Sequence, residues 1–425
     1  MITIKDSVHS HIEIDGVGAS LLDTPPVQRL RHIRQLGTVQ LVYPSANHTR
    51  FEHSLGVYHL VRQALDHLGI AGQHAREIEA AAMVHDVGHA PFSHNLEPIL
   101  EEETGATHDT IDHLLAAPPI VDVLERFDLS PATIAELVRG GGSLGQLLAG
   151  ELDVDRMDYL VRDAHHTGVP YGTIDPGRLL RQLTFVDGDL VLAEGNVQSA
   201  ENLLIARALM NPTVYNHHVS RISKAMLRRA FWELVDGGDL DAQIDPLVSV
   251  WQRDDGSVHP LRQATDHDVL VAMASIPRTR PLLQRLINRD LFKRAIWAER
   301  RHVSDGLFDL TIAEIRGLER EIADRAGISS EHVLLDIPSD THMTEASSRV
   351  LVNGEIRRLD EQSPLVRALQ DSHDAQWRLG VYSPEATTAT VAEAAAGILG
   401  LDITGPYVQE RGRGIHRRLG EFVDT

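Results

Sequence analysis

Arg50-Phe51-Glu52-His53 and, some thirty residues later, His85-Asp86-Val87-Gly88-His89-Ala90-Pro91-Phe92-Ser93-His94 bring four histidines, two carboxylates and an arginine into a window of 45 residues. A protein interior does not collect such groups for packing, because each costs free energy to bury unless it is paired or bound to a metal. Divalent ions take their ligands deprotonated, as neutral imidazole and ionised carboxylate, and adjacent His85-Asp86 at a helix end offers both from one rigid element. His53, at the start of the preceding helix, supplies a third ligand. The best candidate for a fourth is distant: Asp155, in Glu151-Leu152-Asp153-Val154-Asp155-Arg156-Met157-Asp158-Tyr159. Two nitrogens and two oxygens, with the remaining positions open to water and substrate, suit Mn, Fe, Zn, Co or Ni without choosing among them. An isolated His-Asp pair would carry no such meaning; the flanking Gly88, His89, His94 and the run from Arg50 to His53 give it one.

Outward from this centre the pattern is mainly helical. Apolar residues from Leu55 to Leu68 mark an amphipathic helix ending at Gly69, and 76–86 reads as a buried helix leading into His85-Asp86. A helix is expected from Pro25 through Val27, Leu30, Ile33 and Leu36 to a stop at Gly37. Residues 2–14 alternate apolar and polar as a short β-hairpin, and Asp187-Gly188 and Asn353-Gly354 sit between apolar runs as two more. A helix at 310–326, strands at 333–337 and 377–382 and an Ala-rich helix at 385–399 suggest a small α+β subdomain. The expected organisation is a helical core over 1–235, a helical extension over 236–305 and the α+β subdomain with a basic tail (Arg411, Arg413, Arg417, Arg418) over 306–425. Gly140-Gly141-Gly142-Ser143-Leu144-Gly145 satisfies GxGxxG but follows a helical pattern, so it reads as a loop.

The chain has 425 residues, 42% of them hydrophobic, and a formal charge of −21 from 40 Lys+Arg against 61 Asp+Glu. Only Lys5, Lys224 and Lys293 are lysines. Such a surface suits high ionic strength, where the Debye length shrinks to about 3 Å at 1 M and self-repulsion is screened, a halophile signature; the alternative is a GC-rich genome. Broad nucleic-acid binding is disfavoured, since it draws on cation–phosphate contacts, but an Arg-lined pocket for a small polyphosphate is compatible. With no cysteine, disulfides and thiol chemistry are excluded. No signal-peptide core and no apolar run near the ~18 residues of a membrane span are found, so the expected location is cytoplasmic.

One more spatial argument comes from the Asp155 segment. If it is helical, Asp155, Tyr159 and Asp163 fall within an arc of about 80° on one face, with a ligand at one end and two further side chains running away from it.

His53, His85-Asp86 and Asp155 resemble the metal quartet of the HD-domain phosphohydrolases, a mainly α fold with a helical-bundle core. Similarity over His9–Glu13, Asp23-Thr24-Pro25, Gln28–Arg31, Gln35–Gly37, Arg50–Val57, His85–His94 and Asp153–Gly168 is closer to one branch, the deoxynucleoside triphosphate triphosphohydrolases that include animal enzymes with an extra SAM domain. The resemblance implies hydrolysis of dNTPs to deoxynucleoside and triphosphate by metal-activated water, with Mg able to accompany the substrate phosphates. It implies that Arg50 contacts phosphates and that His94 is the general acid or a phosphate contact, with Glu97 holding it. His89 and His108 line the same pocket, His108 beside Asp109 where the family has a longer carboxylate. Tyr159 and Asp163 frame the deoxyribose, Gln35 and Leu36 also touch the sugar, Arg156 stands in for a phosphate-contacting lysine, and Tyr215 and His217 line the substrate. Asp23, Gln28 and Arg31 match residues that read an activating nucleotide, whereas Lys5-Asp6-Ser7-Val8 departs from the pattern opposite them. A homo-oligomer is implied as well. Two competing readings are a nucleotidase or phosphodiesterase acting on other phosphoesters, and a non-catalytic nucleotide sensor that keeps the metal as structure.

Overall fold

A computed structural model describes residues 1–235, 260–308, 310–338, 344–401 and 408–410. The fold is mainly α. Two compact units are interleaved along the chain: Met1–Ser220, Ala230–Leu283 and Met343–Gln370 form one, and Arg221–Arg229, Gln284–His342 and Asp371–Thr425 the other. The expected three-part division is therefore drawn differently, and the basic tail lies outside the described residues.

In the first unit the central helix Arg50–Leu68 packs against Gln73–Val84 and Val154–Thr167. Its start is fixed by Thr49, whose N–H donates to Glu52 Oε2 at 2.6 Å, and its end by Gly69 in the left-handed region. Phe51, Leu55, Val57, Tyr58, Leu60, Val61, Ala64 and Leu65 are buried, so this helix is covered on nearly every side. Pro25–Arg29 is helical as expected, but the helix gives way to a 3-10 turn at Leu30–His32 instead of reaching Gly37. The cause is a competing backbone pairing: Arg34 bridges Thr49, and the Arg50 N–H donates to the Ile33 carbonyl at 2.9 Å.

All three hairpins form. Asp187, Gly188, Asn353 and Gly354 all have positive φ, as two-residue turns of the mirror-image type require. The Asn353-Gly354 hairpin does not join the later subdomain, however. Its strand Arg349–Val352 pairs in parallel with Asp189–Leu192, through Leu192 and Val350, making a four-stranded sheet in the first unit.

The second unit is a four-stranded antiparallel sheet in the order Val408–Glu410, Lys293–Glu299, Arg378–Ser383, Leu334–Asp336, with helices Ile312–Ala326 and Thr388–Leu399 packed with it. Strand Lys293–Glu299 falls where a helical extension with loop stretches was expected; Ala295, Ile296 and Ala298 are buried in the core of this unit. Asp336 is buried at the sheet edge and accepts hydrogen bonds from Arg221 (2.7 Å), Arg228 (3.3 Å) and the Tyr382 hydroxyl (2.8 Å). Burial works to raise its pKa, but Arg221, Arg228 and Tyr382 prevail and hold it below the usual carboxylate value.

Asp336→Ala is expected to cost about 3–5 kcal/mol, because it leaves the Arg221 guanidinium buried without its carboxylate. Because the native pKa is depressed, the wild-type advantage should be full above pH ~4 and be lost as pH falls through the native value. Thermal unfolding of both proteins across pH 3–7 checks both statements.

Candidate metal centre and active site

Three helix ends bring the expected ligands together. His53 lies in the first turn of Arg50–Leu68, His85 and Asp86 follow the end of Gln73–Val84, and Asp155 lies in the first turn of Val154–Thr167. Asp153 caps that last helix by accepting the Arg156 N–H at 2.7 Å. His53 Nε2 stands 2.7 Å from Asp155 Oδ1, 3.4 Å from His85 Nε2 and 3.9 Å from Asp86 Oδ2. His85 Nε2 is 3.9 Å from Asp155 Oδ1. His53, His85 and Asp86 lie close enough together to share one ion, while Asp155 approaches His53 and His85 without joining that group.

Other observations show that the donor set fits a divalent ion. Asp86 Oδ2 is buried with no hydrogen-bond partner among the described residues. His85 Nδ1–H donates to the Ala82 carbonyl at 2.8 Å and His53 Nδ1–H to Asp158 at 2.8 Å, so both rings turn Nε2 toward the other ligands. Burial would lower the His53 pKa, yet bonds to Asp155 and Asp158 push it up to about 10.

Behind His53 lies a layer that sequence reasoning missed. Asp158, wholly buried, accepts from His53, from His9 Nε2 at 2.6 Å and from Arg162 Nε at 2.8 Å. Arg162, equally buried, also donates to Asp6 at 2.8 Å, and Asp6 accepts the Val8 and His9 N–H groups in the N-terminal hairpin turn. Gly56 makes this possible, since a Cβ there would stand 1.8 Å from Asp158 Oδ1. The one legible signal was the Asp158–Arg162 spacing of four on a helix.

Beside the metal ligands sits the histidine cluster. His89 stacks on His108 with ring centroids 4.0 Å apart, and His94 meets both edge-on. Glu97 clamps the cluster, accepting from His94 Nδ1 at 2.5 Å and from His108 Nδ1. His108 Nε2 reaches Asp109 at 3.0 Å, so the shorter carboxylate still pairs. Burial would lower the His108 pKa, but Asp109 and Glu97 push it up to about 10, whereas burial helped by Arg50 and His108 drives His89 well below the ordinary imidazole value. Within the stacked pair, neighbouring carboxylates therefore favour the charged form of His108 while burial favours the neutral form of His89. Arg50 is buried, donating to Asp86 Oδ1 at 2.9 Å and Ser93 Oγ at 2.7 Å.

A cavity of about 130 Å³ is lined by Gln35, Arg50, His85, Asp86, His89, His94, His108, Asp109, Asp155 and Tyr159 among others. The Gln35 Oε1 is buried there without a hydrogen-bond partner among the described residues. Tyr159 meets Tyr215 edge-on at 6.2 Å, and the Tyr215 hydroxyl donates to Asp163 at 2.8 Å. Asp163 does not line the cavity; it is buried, with His48 on its other oxygen at 2.8 Å. Arg156, Leu36 and His217 also stand outside the lining: Arg156 pairs with Asp153 and the Gly150 carbonyl, Leu36 packs on the core, and His217 meets Tyr43 edge-on. Gln28 donates to the Leu22 carbonyl and accepts from Arg31, which lies over the Phe51 ring.

This arrangement, a histidine and a His-Asp pair on neighbouring helices completed by a distant aspartate, defines an HD domain. The HD domain matches residues 50–163 and the HD associated region residues 174–410, and the chain belongs to the family that joins the two. Its relatives include an uncharacterized protein of Methanocaldococcus jannaschii, 31% identical over 91% of this chain and 80% of its own length. The human deoxynucleoside triphosphate triphosphohydrolase SAMHD1 is 28% identical over 69% of this chain and 54% of its own length. Among solved structures, a phosphohydrolase of Bacteroides thetaiotaomicron superposes with a TM-score of 0.71 at 25% identity, covering 91% of this chain and all of that one. No helix among the described residues is long and apolar enough to cross a membrane.

Asp158→Asn keeps the side chain's shape but removes the charge that orients His53, and should weaken metal retention by about 10–100-fold. Metal bound per chain after dialysis against graded chelator measures it. Gly56→Ala, which forces a methyl group into the Asp158–Arg162 pair, should destabilise the protein by about 1–3 kcal/mol in denaturant titration.

Proposed function

We propose that this protein hydrolyses deoxynucleoside triphosphates to deoxynucleoside and intact triphosphate. The observation that carries the reading is the opening of three candidate metal ligands (His85, Asp86 and Asp155), Arg50, three further histidines and Tyr159 onto one cavity. Similarity to the triphosphohydrolase SAMHD1 supports the substrate class.

A divalent ion held by His53, His85, Asp86 and Asp155 would lower the pKa of a bound water toward 7 and draw charge from a phosphoryl oxygen. The protein's own groups do the rest. The water oxygen bonds to the α-phosphorus, the bond from that phosphorus to the 5′ oxygen breaks, and the 5′ oxygen takes a proton. His94 is the donor in its imidazolium form: burial lowers its pKa, Glu97 at Nδ1 works against that, Nε2–H is left for the transfer, and 60% of the side chain is exposed to reach substrate. Arg50 and the cationic His108 stabilise the negative charge of the phosphates as the bond breaks. Tyr159 places an aromatic face where the sugar would lie, and Asp163 acts by fixing Tyr215 against it. A 2′-hydroxyl brought against that face would be buried without a partner, which disfavours ribonucleotides.

The test is a panel of the four dNTPs and four NTPs with each candidate metal, at low and high KCl, with products identified chromatographically. Triphosphate and deoxynucleoside are expected. Arg50→Ala should lower kcat about 100-fold or more, and Tyr159→Ala should narrow the preference for deoxyribose. Release of monophosphate would make the protein a nucleotidase or phosphodiesterase. Nucleotide binding without turnover would make it a sensor.

A further inference from the structure

Three histidines of the site lie between helices, and apart from the Arg50 bond to the Ser93 side chain their main chain is tied to more distant parts of the sequence. Phe92 and Ser93, directly before His94, are both left-handed, with φ of 58° and 54°. Such a conformation is unfavourable for a non-glycine residue and persists only where the surroundings impose it. What imposes it comes from far along the chain. Asp266, 2% exposed, accepts the Phe92 N–H at 2.6 Å through one oxygen and the Arg34 N–H at 3.1 Å through the other. Arg262, 3% exposed, donates to the carbonyls of Thr107 (2.8 Å) and Thr110 (2.6 Å), on either side of His108. Arg29, 2% exposed, has a guanidinium bonded to main-chain carbonyls: His89 at 2.8 Å and Val87 at 3.3 Å on one side, Ala264 at 2.9 Å and Leu261 at 3.2 Å on the other.

Each histidine loop thus has its own tie to the same six residues. We infer that Leu261–Asp266, within the HD associated region, is a positioning brace: Asp266 sets the backbone that aims His94, Arg262 that of His108, and Arg29 couples the segment to His89. The segment begins a helix whose own start needs none of this. Thr265 and Asp268 already cap it reciprocally, with the Thr265 N–H donating to Asp268 at 2.7 Å, so Asp266 is left over for the loop. Every tie runs to main chain, so the brace fixes direction without entering the cavity.

The inference rests on the reading of His94 and His108 as catalytic groups, and its test separates the two. Hydrogen exchange over residues 88–96 and 104–112, metal content, kcat, KM and the pH–rate profile are compared for the full wild-type chain and Asp266→Asn, whose amide can accept only one of the two N–H bonds. Exchange in 88–96 should rise about fivefold or more. kcat should fall about tenfold or more, with KM within about twofold and metal content unchanged. The limb of the profile set by the general acid should move. Unchanged exchange in 88–96, or a lower melting temperature with kcat and that limb intact, overturns the brace. If Asp266→Asn does not fold, Arg262→Lys, which keeps the charge but cannot span two carbonyls, is read the same way over 104–112. A wild type that turns over no nucleotide defeats the functional reading alone, and the exchange data still decide the brace.

Discussion

A carboxylate with no access to water has to find its hydrogen bonds inside the protein, and Asp158 finds three donors there: His53, His9 and Arg162. That constraint ties the N-terminal hairpin, the central helix and the Asp155 helix to one point. Removing any one partner would leave charge buried without compensation, which is far more costly than the net worth of the bonds themselves. The direction of the His53 ring is therefore a property of the tertiary fold and not of its own helix.

The electrostatics of the site follow from the same logic one layer further out. Asp86 is shared between Arg50, His89 and the metal position, and Arg50 and the neighbouring histidines hold its pKa well below the ordinary value against the effect of burial. Glu97 is likewise held ionised by His108 and His94. Asp86 and Glu97 thus sit on either side of the same histidines, so carboxylates and basic groups alternate around one small space.

Much of this was legible in the residues alone. His53, His85 and Asp86 could be grouped because a His-Asp pair and a third histidine fall at neighbouring helix ends, Asp155 entered as the best distant candidate and through the family resemblance, and the face shared by Asp155 and Tyr159 follows from helical period. The hairpins could be placed because Asp-Gly and Asn-Gly turns are local. What could not be seen is where a hairpin goes: nothing in Arg349–Val352 says that its partner is Asp189–Leu192 and not a strand of the other unit. Nor could Asp266 or Arg262 be connected to the histidines. Their partners are main-chain groups, which carry no side-chain identity for a pattern to match. The Pro25 helix was overextended for the same reason, because the pairing of residues 33–35 with 48–50 competes with helix and has no local signature.

The parallel pairing of Leu192 with Val350 has a consequence for how the molecule is made. Those strands lie roughly 160 residues apart, so at ~5–20 residues per second a ribosome needs on the order of 8–30 s between the first and the second. During that interval the edge of Asp189–Leu192 waits unpaired while segments destined for the other unit emerge through the gap. Neither unit can be completed before the other has begun, which favours late, concerted consolidation of the two over folding one after the other.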